Sequence, residues 1–209
     1  MYDFELKYIK QGYKHIAGCD EAGRGPMAGP LVCASVILNP DDPIDSLYDS
    51  KALNEKTRND LYDQIVRRAI AYKVVFLSPK DVDTLNCYQA SKKGMIDAVR
   101  GLSLKADFIL TDAMPLGKAY KHEAIIKGDQ KSASIAAASI LAKVERDRYM
   151  IESSKTYPGY GFERHKGYPT KYHKQKLVEL GACAIHRKTY QPVKDILLTQ
   201  LSMDVSSKI

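Results

Sequence analysis

The chain contains no tryptophan and only four phenylalanines in 209 residues. No hydrophobic run is long enough to span a bilayer. The start, Met1-Tyr2-Asp3-Phe4-Glu5, lacks the basic opening and apolar core of a secretory signal. A cytoplasmic protein that meets no membrane is expected. Four cysteines (Cys19, Cys33, Cys87, Cys183) form no C-x-x-C pair, which argues against zinc ribbons and thioredoxin-type redox motifs. Three of them lie among apolar or small residues, as reduced buried thiols do. The five histidines have no metal-ligand spacing. There is no internal repeat and no low-complexity tract. Acid is also short: 25 Asp+Glu against 32 Lys+Arg leave a net charge of +7. A basic surface suits a polyanion such as nucleic acid, although a merely solvated surface fits the charge equally well.

What is there has the size of one domain and an α/β pattern. Strand-like runs cover His15–Cys19, Leu31–Leu38, Tyr72–Leu77, Asp107–Asp112 and Glu123–Lys127. Helical spacing covers Thr57–Ile70, Tyr88–Val99, a long stretch from about Lys131 to Ile151, Thr170–Leu180 and Pro192–Leu201. Ser78-Pro79 reads as an N-cap with proline at the first helical position. On the long helix, Ala137, Ile140, Leu141, Val144 and Ile151 share one face, expected to pack on the sheet. Ser132, Ser139, Lys143 and Arg146 share another, which is either an ordinary wet face or a phosphate contact. Beyond Tyr157 the composition turns to Gly, Pro, Tyr and basic residues. A core over about 14–152 is therefore followed by a helical segment over about 153–209.

Four acids stand out. Asp20 and Asp112 each end an apolar strand-like run, and Glu21 follows Asp20 directly. Asp129 lies just before the long helix. If the first and fourth runs are neighbouring strands, Asp20 and Asp112 arrive at one sheet edge, where ligands of open α/β sheets gather. Glu21 can share that edge only if the strand ends there. Clustered carboxylates repel one another, and divalent cations remove that penalty. Oxygen donors suit Mg²⁺ or Mn²⁺ rather than zinc, and a pair of such ions is a common way to cut a phosphodiester. Each acid has a plainer reading too: an exposed turn for Asp20-Glu21, a strand-ending turn for Asp112, and a helix N-cap for Asp129. Gly23-Arg24-Gly25 follows the first acids; the glycines let backbone approach a ligand, and arginine reads phosphate. A plain tight turn is the alternative.

These residues resemble the ribonuclease HII family. The matching stretches are His15 through Pro26, Ala28-Gly29-Pro30, Asp49-Ser50-Lys51, the Asp112 strand end, Lys127 through Ser132, Ala136 through Val144, His165 through Thr170, and Ile185-His186-Arg187. They run from about residue 15 to 195 in the family's order. The intact Gly23-Arg24-Gly25 and a lead of only about 14 residues before the first strand favour type HII over the sister family HIII. The resemblance implies a ribonuclease H-like fold: a five-stranded mixed sheet flanked by helices, with a C-terminal helical segment. It implies endonucleolytic cleavage of RNA in RNA–DNA hybrids and of DNA duplexes at embedded ribonucleotides, leaving 3′-hydroxyl and 5′-phosphate ends. Asp20, Glu21, Asp112 and Asp129 then become the catalytic acids around two Mg²⁺ or Mn²⁺ ions. Gly23, Arg24 and Gly25 become readers of the 2′-hydroxyl and its neighbouring phosphate. Tyr168 would pack on the deoxyribose after the ribonucleotide, while Ser50, Lys51, Lys143 and Arg146 are weaker phosphate candidates. A monomer is expected. A non-catalytic nucleic-acid-binding module and a resolvase-type DNA nuclease on the same fold are the alternatives.

Overall fold

The computed structural model describes residues 1–47 and 53–206. The five-stranded mixed sheet is present. Its strands are β1 (Ile16–Ala22), β2 (Leu31–Ile37), β3 (Ala71–Leu77), β4 (Phe108–Asp112) and β5 (His122–Ile125), in the order β3-β2-β1-β4-β5. β1, β2 and β3 are antiparallel neighbours; β1, β4 and β5 are parallel neighbours. β2 is buried along its whole length, which is why its sequence, LVCASVI, is continuously apolar or small rather than alternating.

Helices cover both faces. They are α1 (Asp3–Ile9), α2 (Glu55–Arg68), α3 (Pro79–Leu85), α4 (Cys87–Arg100), α5 (Ala133–Thr156), α6 (Phe162–His165), α7 (Lys171–Leu180) and α8 (Gln191–Ser206). On one face, Val32, Ala34 and Val36 pack against Leu61 and Ile65 of α2 and Ala137, Ile140 and Leu141 of α5. On the other, Cys19, Leu31, Cys33 and Leu77 pack against Ala90 and Met95 of α4. The start of α3 is as expected: Ser78 and Asp81 form a reciprocal capping box ahead of Pro79.

α5 touches the sheet more closely than side-chain packing allows. A Cβ on Gly18 would lie 2.1 Å from the Ser134 carbonyl carbon, so the helix backbone rests directly on β1. The N-terminus of α5 is held by α1, an element the sequence reading did not find. The buried Glu5 carboxylate accepts from Ser132 Oγ at 2.6 Å and Ser134 N at 2.9 Å. It thereby satisfies donors that a helix start leaves open.

Three expectations about α5 are corrected. Its N-cap is Ser132, not Asp129, because a 3₁₀ turn over Gly128–Gln130 comes first. Ser132 and Arg146 are buried rather than on a wet face, and Ile151 on the supposed packing face is exposed. Ser132 is covered by α1 through Glu5, whereas Arg146 is covered by the chain beyond α5, which folds back over the helix. Met27 N donates to Gly167 O, Gly29 N to Ile185 O, and Arg187 N to Met27 O. α5 also continues past 153, so the boundary expected there falls inside its last turns.

Candidate active site

β1 and β4 lie side by side in parallel, with Cys19 opposite Thr111 as their last paired residues. The next residue on each strand is an acid, Asp20 and Asp112. Opposite residues of a parallel pair share a face, so both carboxylates leave the sheet toward α5. Asp20 is buried and accepts from Ser139 of α5 and from the Glu21 N–H at 2.7 Å. Asp112 Oδ1 accepts from Gly128 N at 2.8 Å. That bond draws the 3₁₀ turn, and buried Asp129 with it, up to the same strand end.

Glu21 arrives differently from the expectation. The strand does not end between the two acids: β1 stays paired with β2 through Ala22, with Asp20 opposite Ala34 and Glu21 opposite Cys33. Alternation sends Glu21 to the face away from α5. It still borders the site because β1 runs on after its pairing with β4 stops. Burial, then the charges of Glu21 and Asp112, push the Asp20 carboxyl well above its ordinary value.

Glu21 lines a cleft of about 390 Å³ together with Gly23, Arg24, Gly25, Arg58, Ser139, Lys143 and Tyr168. Arg24 Nη1 lies 3.3 Å from Glu21 Oε1, linking the loop to the acids. Lys143 pairs with Asp147 at 2.7 Å, one turn along α5. The Tyr168 ring is exposed and stands over Gly25, with Cε1 3.4 Å from where a Cβ would be. Ser50 and Lys51 lie outside the described residues.

The loop is held from below by two buried arginines. Arg146 donates to Pro30 O (3.0 Å), Ala28 O (3.1 Å) and Lys166 O (2.9 Å). Arg187 donates to Gly29 O (3.0 Å), Gly23 O (2.7 Å) and Arg24 O (3.3 Å). Tyr190 adds a bond from its hydroxyl to Arg24 O at 2.6 Å. Arg146 is therefore a buried strap beneath the cleft, not part of a wet face. Burial, and then the charge of Arg187, bring its guanidinium down to about 10, so it stays protonated at neutral pH. Gly23 has a second reason to be glycine. Its φ is +100°, and a Cβ there would lie 2.2 Å from Arg146 Nε.

The sequence reading missed Ser139 as a partner of Asp20, Arg58 as a cleft cation, and Arg187 with Tyr190 as loop supports. Helical spacing had placed Ser139 beside Lys143. Arg187 lay in a matched stretch without a role. Arg58 carries no local signal, since it is one of several charged residues on an amphipathic helix.

Among the described residues, no three His, Cys, Asp or Glu side chains converge as a ready-formed metal cage. The chemistry of the donors nonetheless fits a hard dication. Asp20, Glu21 and Asp112 supply only oxygen, and their mutual repulsion is the kind a divalent cation relieves.

The model of the family described as Ribonuclease HII matches residues 17–193. Ribonuclease HII of Bacillus cytotoxicus is 49% identical over 201 residues, 96% of this chain and 78% of that protein. Ribonuclease HII of Bacillus licheniformis is 49% identical over 194 residues, 93% of this chain and 76% of that protein. Among solved structures, the ribonuclease H2 of Pyrococcus horikoshii superposes with a TM-score of 0.75 at 27% identity, covering 88% of this chain and 97% of that one.

Proposed function

This chain belongs to the ribonuclease HII family, and from that premise we propose that it cuts the RNA strand of RNA–DNA hybrids and nicks duplex DNA on the 5′ side of an embedded ribonucleotide. The products carry 3′-hydroxyl and 5′-phosphate ends. One observation carries the reading. The parallel register of β1 and β4 brings Asp20 beside Asp112, and Glu21, the neighbour of Asp20, lines a cleft together with Gly23-Arg24-Gly25 and Tyr168.

Asp20, Glu21, Asp112 and Asp129 are the residues that would hold Mg²⁺ or Mn²⁺. Two such ions supply charge neutralisation, an activated water and stabilisation of the leaving oxygen. The remaining work belongs to the chain. Ser139 and the Glu21 N–H fix the Asp20 carboxylate, and the Gly128 N–H fixes that of Asp112. Gly23-Arg24-Gly25 reads the 2′-hydroxyl at the scissile nucleotide, which is what tells RNA from DNA. Its carbonyls at Gly23 and Arg24 are already turned down to Arg187 and Tyr190. Arg24, Lys143 and Arg58 offer positive charge to the phosphates. The flat Tyr168 ring stacks on the sugar that follows the ribonucleotide.

The test is a DNA duplex with one ribonucleotide, alongside all-DNA and all-RNA controls, in Mg²⁺ or Mn²⁺. A single nick 5′ of the ribonucleotide is expected. Cleavage of all-DNA substrates would point to a resolvase-type nuclease. Tight hybrid binding with no cleavage in either metal would point to a binding module.

A further inference from the structure

Behind Tyr168, three histidines from three parts of the C-terminal segment share one aromatic box: His165 at the end of α6, His173 in α7 and His186 in the loop before α8. His165 stacks on His173 with ring centroids 4.2 Å apart. Phe162 meets His173 edge-on at 5.3 Å, and Tyr160 tilts against His186 at 5.2 Å. His173 and His186 are buried.

The hydrogen bonds assign every proton in this box. Cys183 N lies 3.0 Å from His186 Nδ1, and a peptide N–H can only donate. His186 Nδ1 is therefore bare, and its proton sits on Nε2. His173 Nδ1 lies 2.9 Å from Tyr168 O, and a carbonyl can only accept. His173 therefore carries its proton on Nδ1 and leaves Nε2 bare. The two Nε2 atoms are 3.1 Å apart, one a donor and the other an acceptor. The result is a one-way chain: Cys183 N–H to His186, His186 to His173, His173 to the Tyr168 carbonyl. His165 follows the same rule, accepting from Gly167 N at 3.1 Å and donating to Tyr160 O at 2.8 Å.

This chain ends on the backbone of Tyr168, whose exposed ring lines the cleft. Among the described residues, the Tyr168 hydroxyl makes no hydrogen bond to protein, so the ring's place over Gly25 is set by its backbone. That backbone is held by the His173 bond, by Tyr168 N to His165 O at 2.9 Å, and by Thr170 N to Tyr168 O at 2.8 Å. We infer that His173 and His186 are positioning residues for substrate discrimination. Their directed hydrogen-bond pair sets the Tyr168 carbonyl, and so sets the ring against the nucleotide beside the cleavage point. The inference rests on the proposed role of Tyr168.

The readout is the ratio of cleavage rates on a single embedded ribonucleotide and on a long RNA–DNA hybrid. Tyr168→Ala calibrates it and should lower the ratio. His173→Leu removes the donor to Tyr168 and should lower the ratio about tenfold, with kcat on the hybrid within about threefold of wild type. His173→Asn keeps an N–H at the δ position and should restore most of the ratio, although both variants lose thermal stability. An unchanged ratio in His173→Leu, or equal loss in His173→Asn, overturns the inference. An unchanged ratio in Tyr168→Ala overturns instead the role given to that ring, and the inference with it. Wild-type protein supplies a second measurement that needs no variant. Long-range ¹H–¹⁵N spectra should show His173 as the rarer Nδ1–H tautomer and His186 as Nε2–H, and the opposite tautomer at His173 overturns the assignment.

Discussion

Two groups of like charge are gathered beneath and beside the Gly23-Arg24-Gly25 loop, and the fold treats them in opposite ways. Arg146 and Arg187 repel each other, yet each guanidinium is met by backbone carbonyls on several sides. Asp20, Glu21 and Asp112 also repel one another, and at Asp20 burial and repulsion outweigh the hydrogen bonds that favour its charge. The cationic pair is completed by the protein, and it builds the loop. The anionic group is completed only in part, with burial and repulsion still prevailing at Asp20, and its member Glu21 opens on the cleft. Burial alone does not separate a structural charge from a working one; the separation comes from whether the surrounding dipoles finish the job.

The largest expected effect tests the anionic half. Asp20→Asn should lower cleavage by on the order of a thousandfold or more in either metal. In EDTA the same variant should be more stable than wild type by about 1–2 kcal/mol, because it removes one of the repelling charges. Equal or lower stability in thermal melts would mean that the carboxylates are already compensated, and the contrast would collapse. The cationic half should behave oppositely. Arg187→Met should cost about 3 kcal/mol or more in urea unfolding, since it strands the carbonyls of Gly23 and Gly29. Arg187→Lys should not rescue it, because an ammonium cannot span those acceptors. A neutral Arg187→Met would show the strap to be dispensable.

A third prediction sets the acids against the histidine box. Burial pushes both His173 and His186 down to about 4 from 6.5. The unfolded chain therefore binds more protons than the folded one between those values, and this contribution to stability is lost as pH falls from 6.5 toward 4. By pH 5 it should amount to about 2 kcal/mol per imidazole. Asp20 has the reverse sign. Its raised carboxyl holds a proton that the unfolded chain has released, so acidification from neutral pH relieves it. Asp20→Asn should accordingly steepen the acid-side fall of the melting temperature in EDTA, and His173→Leu should flatten it. Parallel profiles for all three proteins would refute the opposition. The smallest effect belongs to the cleft's rim. Arg58→Ala should raise KM for duplex substrates about threefold with kcat unchanged, and should weaken the salt dependence of binding.

Much of this site was legible in the chain because its signals are local. Asp112 could be placed at a strand end and Asp20 just past an apolar run from the sequence alone, and the parallel pairing of β1 and β4, which stops at Cys19 and Thr111, then brought them together. Ser78-Pro79 announced α3 because capping is a matter of a few adjacent residues. What escaped was what covers a face. Periodicity placed Arg146 beside Lys143, but nothing near either residue says that the chain beyond α5 returns to bury the first and leave the second open to solvent. Glu21 escaped for a related reason. Whether a strand continues past an acid depends on its neighbour, and β2 keeps pairing where β4 has stopped. Helix α1 is short and adjoins no motif, so its role in seating Glu5 against α5 is visible only in three dimensions.

Gly18 has a consequence for manufacture rather than chemistry. A helix and a strand usually meet through layers of side chains, and each layer adds its own slack. Here α5 and β1 touch backbone to backbone, with Ser139 on one part and its partner Asp20 on the other. The two halves of that contact are referenced to each other without a spacer, as two machined faces are when they share a datum. Core substitutions elsewhere can therefore shift the layers of the domain while this one dimension holds.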